Sequence, residues 1–275
     1  MTFITQETSL DGASPQEIYT VSYDFNKWYF TSGDEDVIEN SVVYKKASIS
    51  RSTIELKSEK VISTFEVNFP LDSDFLDLWR VTPPSGRVTL LVQRFHRTDE
   101  LLEKHVVFKG SIVNVAWEED SAKVTCETAS DTLSRTGLRR HYQYGCPHML
   151  YGPACGVDRN NHRSEHEVES IQGIVVVCPS LIGENEADYL GGYIYYQHST
   201  MGTPERISVE KLDTVTGALT LFMVPIGLGV GETLTLFEGC NRTITVCDSR
   251  FDNVENFGGQ PYMPDKNPFG NNTLF

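Results

Sequence analysis

Along much of the first half of the chain, apolar and polar residues alternate in short runs broken by Gly, Pro, Asn and Asp. A period of two is the mark of a half-buried strand. It predicts strands in "IYTVSYDF", "KWYFTSG", "ISRSTIELKS", "VISTFEVNFP" and "SGRVTLLVQRFHR", and a meander in "KHVVFKGSIVNVAWEEDSAKVTCETAS". In the last strand of that meander Ala122, Val124 and Cys126 share one face, while Lys123, Thr125 and Glu127 share the other. Cys126 is therefore expected to point inward. One stretch has a different rhythm: "PLDSDFLDLWRV" places Phe75, Leu76 and Trp79 at helical spacing after a polar start at Asp72 or Ser73. It predicts a short helix that caps a sheet or barrel.

Near residue 140 the texture changes, and we place a domain boundary there, with one domain over 1–140 and a second over 141–275. Cys and Gly cluster beyond it, and "VDRNNHRSEHEVESIQ" is too polar for a core and reads as a solvated loop. Strand-like segments then resume in "GIVVVCP", "DYLGGYIYYQHS", "ERISVEKLDTVTGALTLF" and "ETLTLFEGC". The fold class expected is mainly β in both halves. The tail "FDNVENFGGQPYMPDKNPFGNNTLF" is too rich in Asn, Gly and Pro for regular structure.

Charge narrows the function. The net charge is −15, with 16 basic and 22 acidic side chains in residues 1–140 and 7 and 16 in residues 141–275. A protein that grips nucleic acid needs Lys and Arg to replace the phosphate counterions, so this balance argues against a DNA-binding role. The N-terminal stretch lacks a basic region followed by an apolar one, and no run approaches eighteen apolar residues. The expectation is a protein made in the cytoplasm without a signal peptide or a membrane span. There thiols stay reduced, and clustered cysteines point to metal more than to disulfides.

The six cysteines fall into two kinds. Cys126 and Cys178 sit alone in apolar, alternating segments and read as small core hydrophobes. Cys146 and Cys155 have eight residues between them, Cys240 and Cys247 have six, and the two pairs are separated by 84 residues. Four thiolates suit a tetrahedral zinc ion or an iron–sulfur cluster. Structural zinc sites favour gaps of about two to four residues, whereas a cluster accepts wider spacing because each thiolate binds a different iron. Spacing favours the cluster and leaves zinc, and no metal at all, open.

Other candidates carry less. His148, between the first two cysteines, either bonds to or covers a cluster sulfur, or simply packs the loop. His162 and His166 form an i, i+4 pair, but Arg163 stands where a zincin would need Glu. Cys155, His162 and Asp158 are the nearest set to a thiol hydrolase, and their closeness in sequence counts against them. "GLGVG" at 227–231 lacks the Lys-Ser or Lys-Thr of a phosphate loop and reads as a turn. In the tail, Asn256, Gly258, Gly259, Pro261 and Pro264 favour a fixed irregular path, and Phe251, Phe257, Tyr262 and Phe269 can bury rings, so the segment is expected to wrap the cysteines. Residues 270–275 are candidates for docking a neighbouring protein.

Taken together, "HYQYGCPHMLYGPACGVD" and "FEGCNRTITVCDSRFDNVENFGGQPYMP" resemble the C-terminal signature of the tail hub proteins of long-tailed bacteriophages and gene transfer agents, a family whose relatives include tail-tip protein L of phage lambda. "YKKASISRSTIELKS" and "VVFKGSIVNVAWEEDSAKVTCETASDTLSRTGLRRHY" resemble the β-domain that precedes it there, so the likeness covers most of the chain. The resemblance implies a tail-tube-like β-barrel hub domain over 1–140, followed by a loop-rich iron–sulfur domain. It implies a 4Fe-4S cluster on Cys146, Cys155, Cys240 and Cys247. It also implies a structural, non-catalytic part of the virion, a homotrimer ring between the distal tail tube protein and the central tip proteins, assembled in the host cytoplasm. DNA would pass through such a ring without specific binding. The alternatives are a zinc-stabilised binding module and an iron–sulfur redox enzyme.

Overall fold

The computed structural model describes residues 7–8, 14–53, 65–97, 103–128, 137 and 141–264. The chain divides into two compact units, Met1–Thr136 and Gly137–Phe275.

Among the described residues the first unit is a nine-stranded sheet built from β1 (Pro15–Tyr23), β2 (Asn26–Thr31), β3 (Val37–Glu39), β4 (Val42–Lys46), β5 (Ser50–Arg51), β6 (Phe65–Pro70), β7 (Thr89–His96), β8 (His105–Trp117) and β9 (Ser121–Thr128). Their spatial order is β3-β4-β2-β1-β7-β8-β9-β6-β5. Every pairing is antiparallel except β2 with β4. Alternation in the sequence becomes alternation in burial: Phe65, Val67 and Phe69 of β6 are buried, as are Ala122, Val124 and Cys126 of β9. Burial pushes the Cys126 thiol up to about 12, so it stays an uncharged core group.

The sheet curls strongly. The Tyr19 and Phe30 rings of β1 and β2 lie 5.9 and 5.7 Å from that of Phe69, although β7, β8 and β9 stand between β1 and β6 in the sheet. Glu17 of β1 draws in Arg51 of β5 at 2.6 Å and Arg94 of β7 at 2.9 Å. The expected barrel is nevertheless not closed. Among the described residues β3 and β5 remain edges, and the curl is held by aromatic packing and this ion cluster in place of a final backbone ladder. The capping helix is a 3-10 turn, Asp74–Trp79, with Phe75, Leu76 and Leu78 buried. Much of "ISRSTIELKS" lies outside the described residues.

Among its described residues the second unit is a seven-stranded antiparallel sheet: β10 (Arg163–Glu167), β11 (Ser170–Gln172), β12 (Val175–Val177), β13 (Tyr193–Gln197), β14 (Pro204–Asp213), β15 (Ala218–Leu221) and β16 (Thr233–Phe237), in the order β10-β16-β13-β14-β15-β12-β11. Its core holds Ile194, Leu212, Leu219, Leu221, Leu234 and Leu236, with Cys178 fully buried among them. A bulge between Val209 and Lys211 shifts the phase of β14, so that Leu212 turns inward after Ile207 and Val209.

Two expectations are corrected here. "VDRNNHRSEHEVESIQ" is not a solvated loop: it makes a 3-10 turn, Arg159–Asn161, then β10 and β11. His166 is buried between Ser164 and Ser180, each at 2.7 Å, and burial lowers its pKa. "DYLGGYIYYQHS" is not one strand either, because Glu186–Tyr189 forms a helical turn and the chain reverses at Gly191 (φ +77°) before β13.

Candidate functional site

Topology explains why the two cysteine pairs meet. The first pair lies in the loop that leads into β10, and the second lies just after β16. These strands pair antiparallel with Arg163 opposite Phe237, so the start of one and the end of the other are side by side. The Glu238 N–H donates to the His162 carbonyl at 3.1 Å, extending that pairing toward the loops. Eighty-four residues of separation therefore close at no cost beyond folding the sheet itself.

Each loop is fastened before any thiol is considered. In the first, the Gly152 N–H donates to Met149 O, and the Cys155 and Gly156 N–H groups both donate to Gly152 O, which makes "HMLYGPACG" a series of tight turns. Tyr151 pins it to the sheet: its hydroxyl donates to Glu238 O at 2.8 Å, and its ring meets Tyr193, Phe237 and Phe251 edge-on. In the second loop, Gly239 is needed for close approach, since a Cβ there would fall 2.0 Å from Leu190 O. Thr243 then caps the short helix Ile244–Ser249, which carries Cys247. Arg250, at the end of that helix, donates to the carbonyls of Gly239 (2.6 Å), Asp188 and Ala187 and pairs with the Asp188 carboxylate.

The loops are also tied crosswise. The Cys146 N–H donates to Arg242 O at 2.9 Å, while the Arg242 N–H donates to Cys240 Sγ at 3.3 Å. The Asn253 side chain donates to Cys155 O at 2.6 Å and lies 3.8 Å from Cys155 Sγ. The Asn253 N–H reaches Cys247 O, and the Cys247 thiol donates to Asn253 O at 3.2 Å. Arg242 thus links the first cysteine of each pair, and Asn253 links the second. Gly258 adds a further N–H, 3.5 Å from Cys146 Sγ.

Cys146, Cys155, Cys240 and Cys247 all line one cavity of about 60 Å³, together with His148, Leu150, Val157, Phe251, Asn253 and Phe257. Among the described residues no group of three or more His, Cys, Asp or Glu side chains is arranged to hold a metal ion. The four cysteines instead share the lining of this one cavity. That space is several times the roughly 10–15 Å³ needed by one water, so it takes a group of several heavy atoms. Burial, and then the nearness of Cys240, Cys146 and Cys155, push the Cys247 thiol up to about 11, since each thiolate opposes the next. Four thiolates side by side would need positive charge between them. N–H groups aimed at the sulfurs of Cys146, Cys155 and Cys240 are the donors that metal-bound sulfur accepts from. Donor chemistry, donor number and the size of the space therefore fit an iron–sulfur cluster bound through these four residues.

The remaining candidates go elsewhere. His162 Nδ1 is 3.0 Å from the Glu238 carboxylate, and Asp158 accepts from the Asn160 N–H, so neither serves Cys155. "GLGVG" is a turn, with Gly227 pressed against the His198 ring. Tail residues Phe251, Asn253, Asn256 and Phe257 do line the cavity, but Tyr262 is 91% exposed and buries no ring. Phe269 and residues 270–275 lie outside the described residues. Sequence reasoning missed Arg242 and Asn253. Arg242 works through its backbone, in the left-handed region at φ +64°, and a lone Asn in a polar tail gives no signal of its reach.

Comparison with known proteins adds a context. Residues 21–158 match the family described as baseplate hub protein, N-terminal attachment domain. Residues 189–267 match a second, described as phage conserved hypothetical protein BR0599. A chain in the solved virion of a native gene transfer agent (GTA) particle superposes with a TM-score of 0.77 at 14% identity, over 96% of this chain and 93% of that one. No curated protein matches.

Proposed function

The chain belongs to the baseplate hub family of the N-terminal attachment domain, and on that premise we propose that it is a structural, non-catalytic component of a phage-like tail, fastened internally by a 4Fe-4S cluster. Its place is a ring in the tail tip, three copies joining the tail tube to the central tip proteins. The shared fold with a chain of a gene transfer agent virion supports this reading, as does family membership. A net charge of −15 suits the wall of a channel through which DNA slides without being held.

The observation that carries the cluster is the meeting of Cys146, Cys155, Cys240 and Cys247 around one cavity, with N–H groups directed at the sulfurs of the first three. When bound, the cluster supplies four iron–thiolate bonds that cross-link the two loops. The chain's own residues do the rest. Arg242 and Asn253 hold the loops in register, Tyr151 anchors the first to the sheet, Arg250 ties the second to the helical turn Glu186–Tyr189, and Phe251 and Phe257 line the cavity with apolar surface.

Anaerobic purification with iron, zinc and sulfide analysis tests the cofactor. Brown protein with iron and sulfide in equal amounts is expected; zinc alone would replace this reading with that of a zinc-stabilised module. Imaging of assembled particles tests the ring, and density for this chain away from the tail tip would overturn it.

A further inference from the structure

Both ring nitrogens of His148 are buried and have no hydrogen-bond partner among the described residues. Buried imidazole nitrogens are normally paired, because one left without a partner has lost its water and gained nothing in return. His148 lines the same cavity as the four thiols. It cannot easily turn away, because Gly258 presses on the ring: a Cβ at that position would lie 2.5 Å from Nε2 and 2.7 Å from Cε1. The Gly258 N–H points at Cys146 Sγ, so the residue that confines the imidazole also contacts the thiol set. His162, by contrast, is satisfied by Glu238. A confined donor that finds no acceptor among the described residues has its acceptor in the cavity.

We propose that His148 donates a ring N–H to a sulfur of the group bound by Cys146, Cys155, Cys240 and Cys247, and so acts as a positioning residue that raises its reduction potential. This rests on the iron–sulfur reading of the cavity. An N–H bond to sulfur favours the more negative, reduced state, which is why such bonds shift cluster potentials upward. The same bond holds the cluster in place. Met149, the next residue, is exposed, so the histidine lies at the boundary between cavity and surface.

The test uses the full chain purified without oxygen, as wild type, His148→Phe and His148→Gln. Iron and sulfide are counted first. If the wild type carries neither, the cavity reading fails and this inference falls with it. Given a loaded wild type, His148→Phe is expected to shift the midpoint potential downward and to release iron to a chelator about tenfold faster. His148→Gln, which restores an N–H, is expected to recover most of both. Unchanged potential and release in His148→Phe would overturn the proposal while leaving the cluster reading intact. Should His148→Phe not fold, electron–nuclear double resonance on the reduced wild type with ¹⁵N-labelled histidine decides: coupling to an exchangeable imidazole proton is expected, and its absence would count equally against the bond.

Discussion

Within the second unit, the seven-stranded sheet and the cysteine loops at its β10–β16 end are ordered by different means. In the sheet every strand is held by backbone ladders, with a core of aliphatic side chains that includes Cys178. In the loops, backbone groups find partners through turns, through a few isolated cross-segment bonds such as Gly239 N–H to Asp188 O and Gln260 N–H to Gln143 O, and through Arg242 and side chains such as Tyr151, Arg250 and Asn253. The cysteines follow the same division. Cys126 and Cys178 are fully buried with thiols pushed up to about 12 and about 11, while Cys146, Cys155 and Cys240 retain partial exposure around a cavity. Order in the sheet is distributed over many contacts; order in the loops is concentrated in a few. Concentrated order is what a central cofactor can complete.

The comparison breaks most visibly at a proposed ligand. Cys240→Ser is expected to abolish bound iron and sulfide and to lower folded yield, with hydrogen exchange rising in residues 141–162 and 238–260 while β13 and β14 stay protected. Full iron content in that variant would show that Cys240 is no ligand. Next in size, Leu234→Ala in the core should cost about 2–5 kcal/mol in denaturant unfolding, since the strands cannot collapse onto the void. Iron per folded chain should stay unchanged.

Asn253→Ala removes the donor to Cys155 O and is expected to cost about 1–2 kcal/mol, measured by the same unfolding and accompanied by faster iron loss to a chelator. Equal iron loss in Leu234→Ala and Asn253→Ala would erase the distinction between the two regions.

The last effect, no larger than that of Asn253→Ala, lies in the curled sheet of the first unit, which borrows the loops' strategy. Burial works to raise the Glu17 pKa, but bonds from Arg51, Arg94 and Tyr19 prevail and hold it at about 2, against an ordinary 4.5. A carboxylate depressed on folding contributes stability that is fully present above the unfolded value and lost as pH falls from about 4.5 toward 2. After allowance for solvent screening this amounts to about 1–2 kcal/mol. Unfolding curves of Glu17→Gln should be flatter than wild type across that window and nearly parallel to it above pH 6.

Much of the β architecture was legible in the sequence, because a period of two has one meaning when one face is buried. β1, β2, β6 and β9 fall where alternation predicts them, and Cys126 and Cys178 are where their apolar neighbours place them. Misreadings arose where local pattern and tertiary demand diverged. "SEHE" looks soluble, yet it is a strand because β16 offers a partner edge. "DYLGG" looks apolar, yet a positive φ at Gly191 turns it away.

By itself the sequence determined the mainly β class, the separation of two core cysteines from four loop cysteines, and the width of the gaps between the latter. These are properties of neighbouring residues, and short-range sterics and burial suffice to read them. Only the tertiary structure decided that the two pairs share one cavity, that Arg242 and Asn253 bind them crosswise, and that His148 faces the same space without a partner among the described residues. Those facts depend on which strand ends lie side by side, and strand pairing over long separations is a property of the whole sheet.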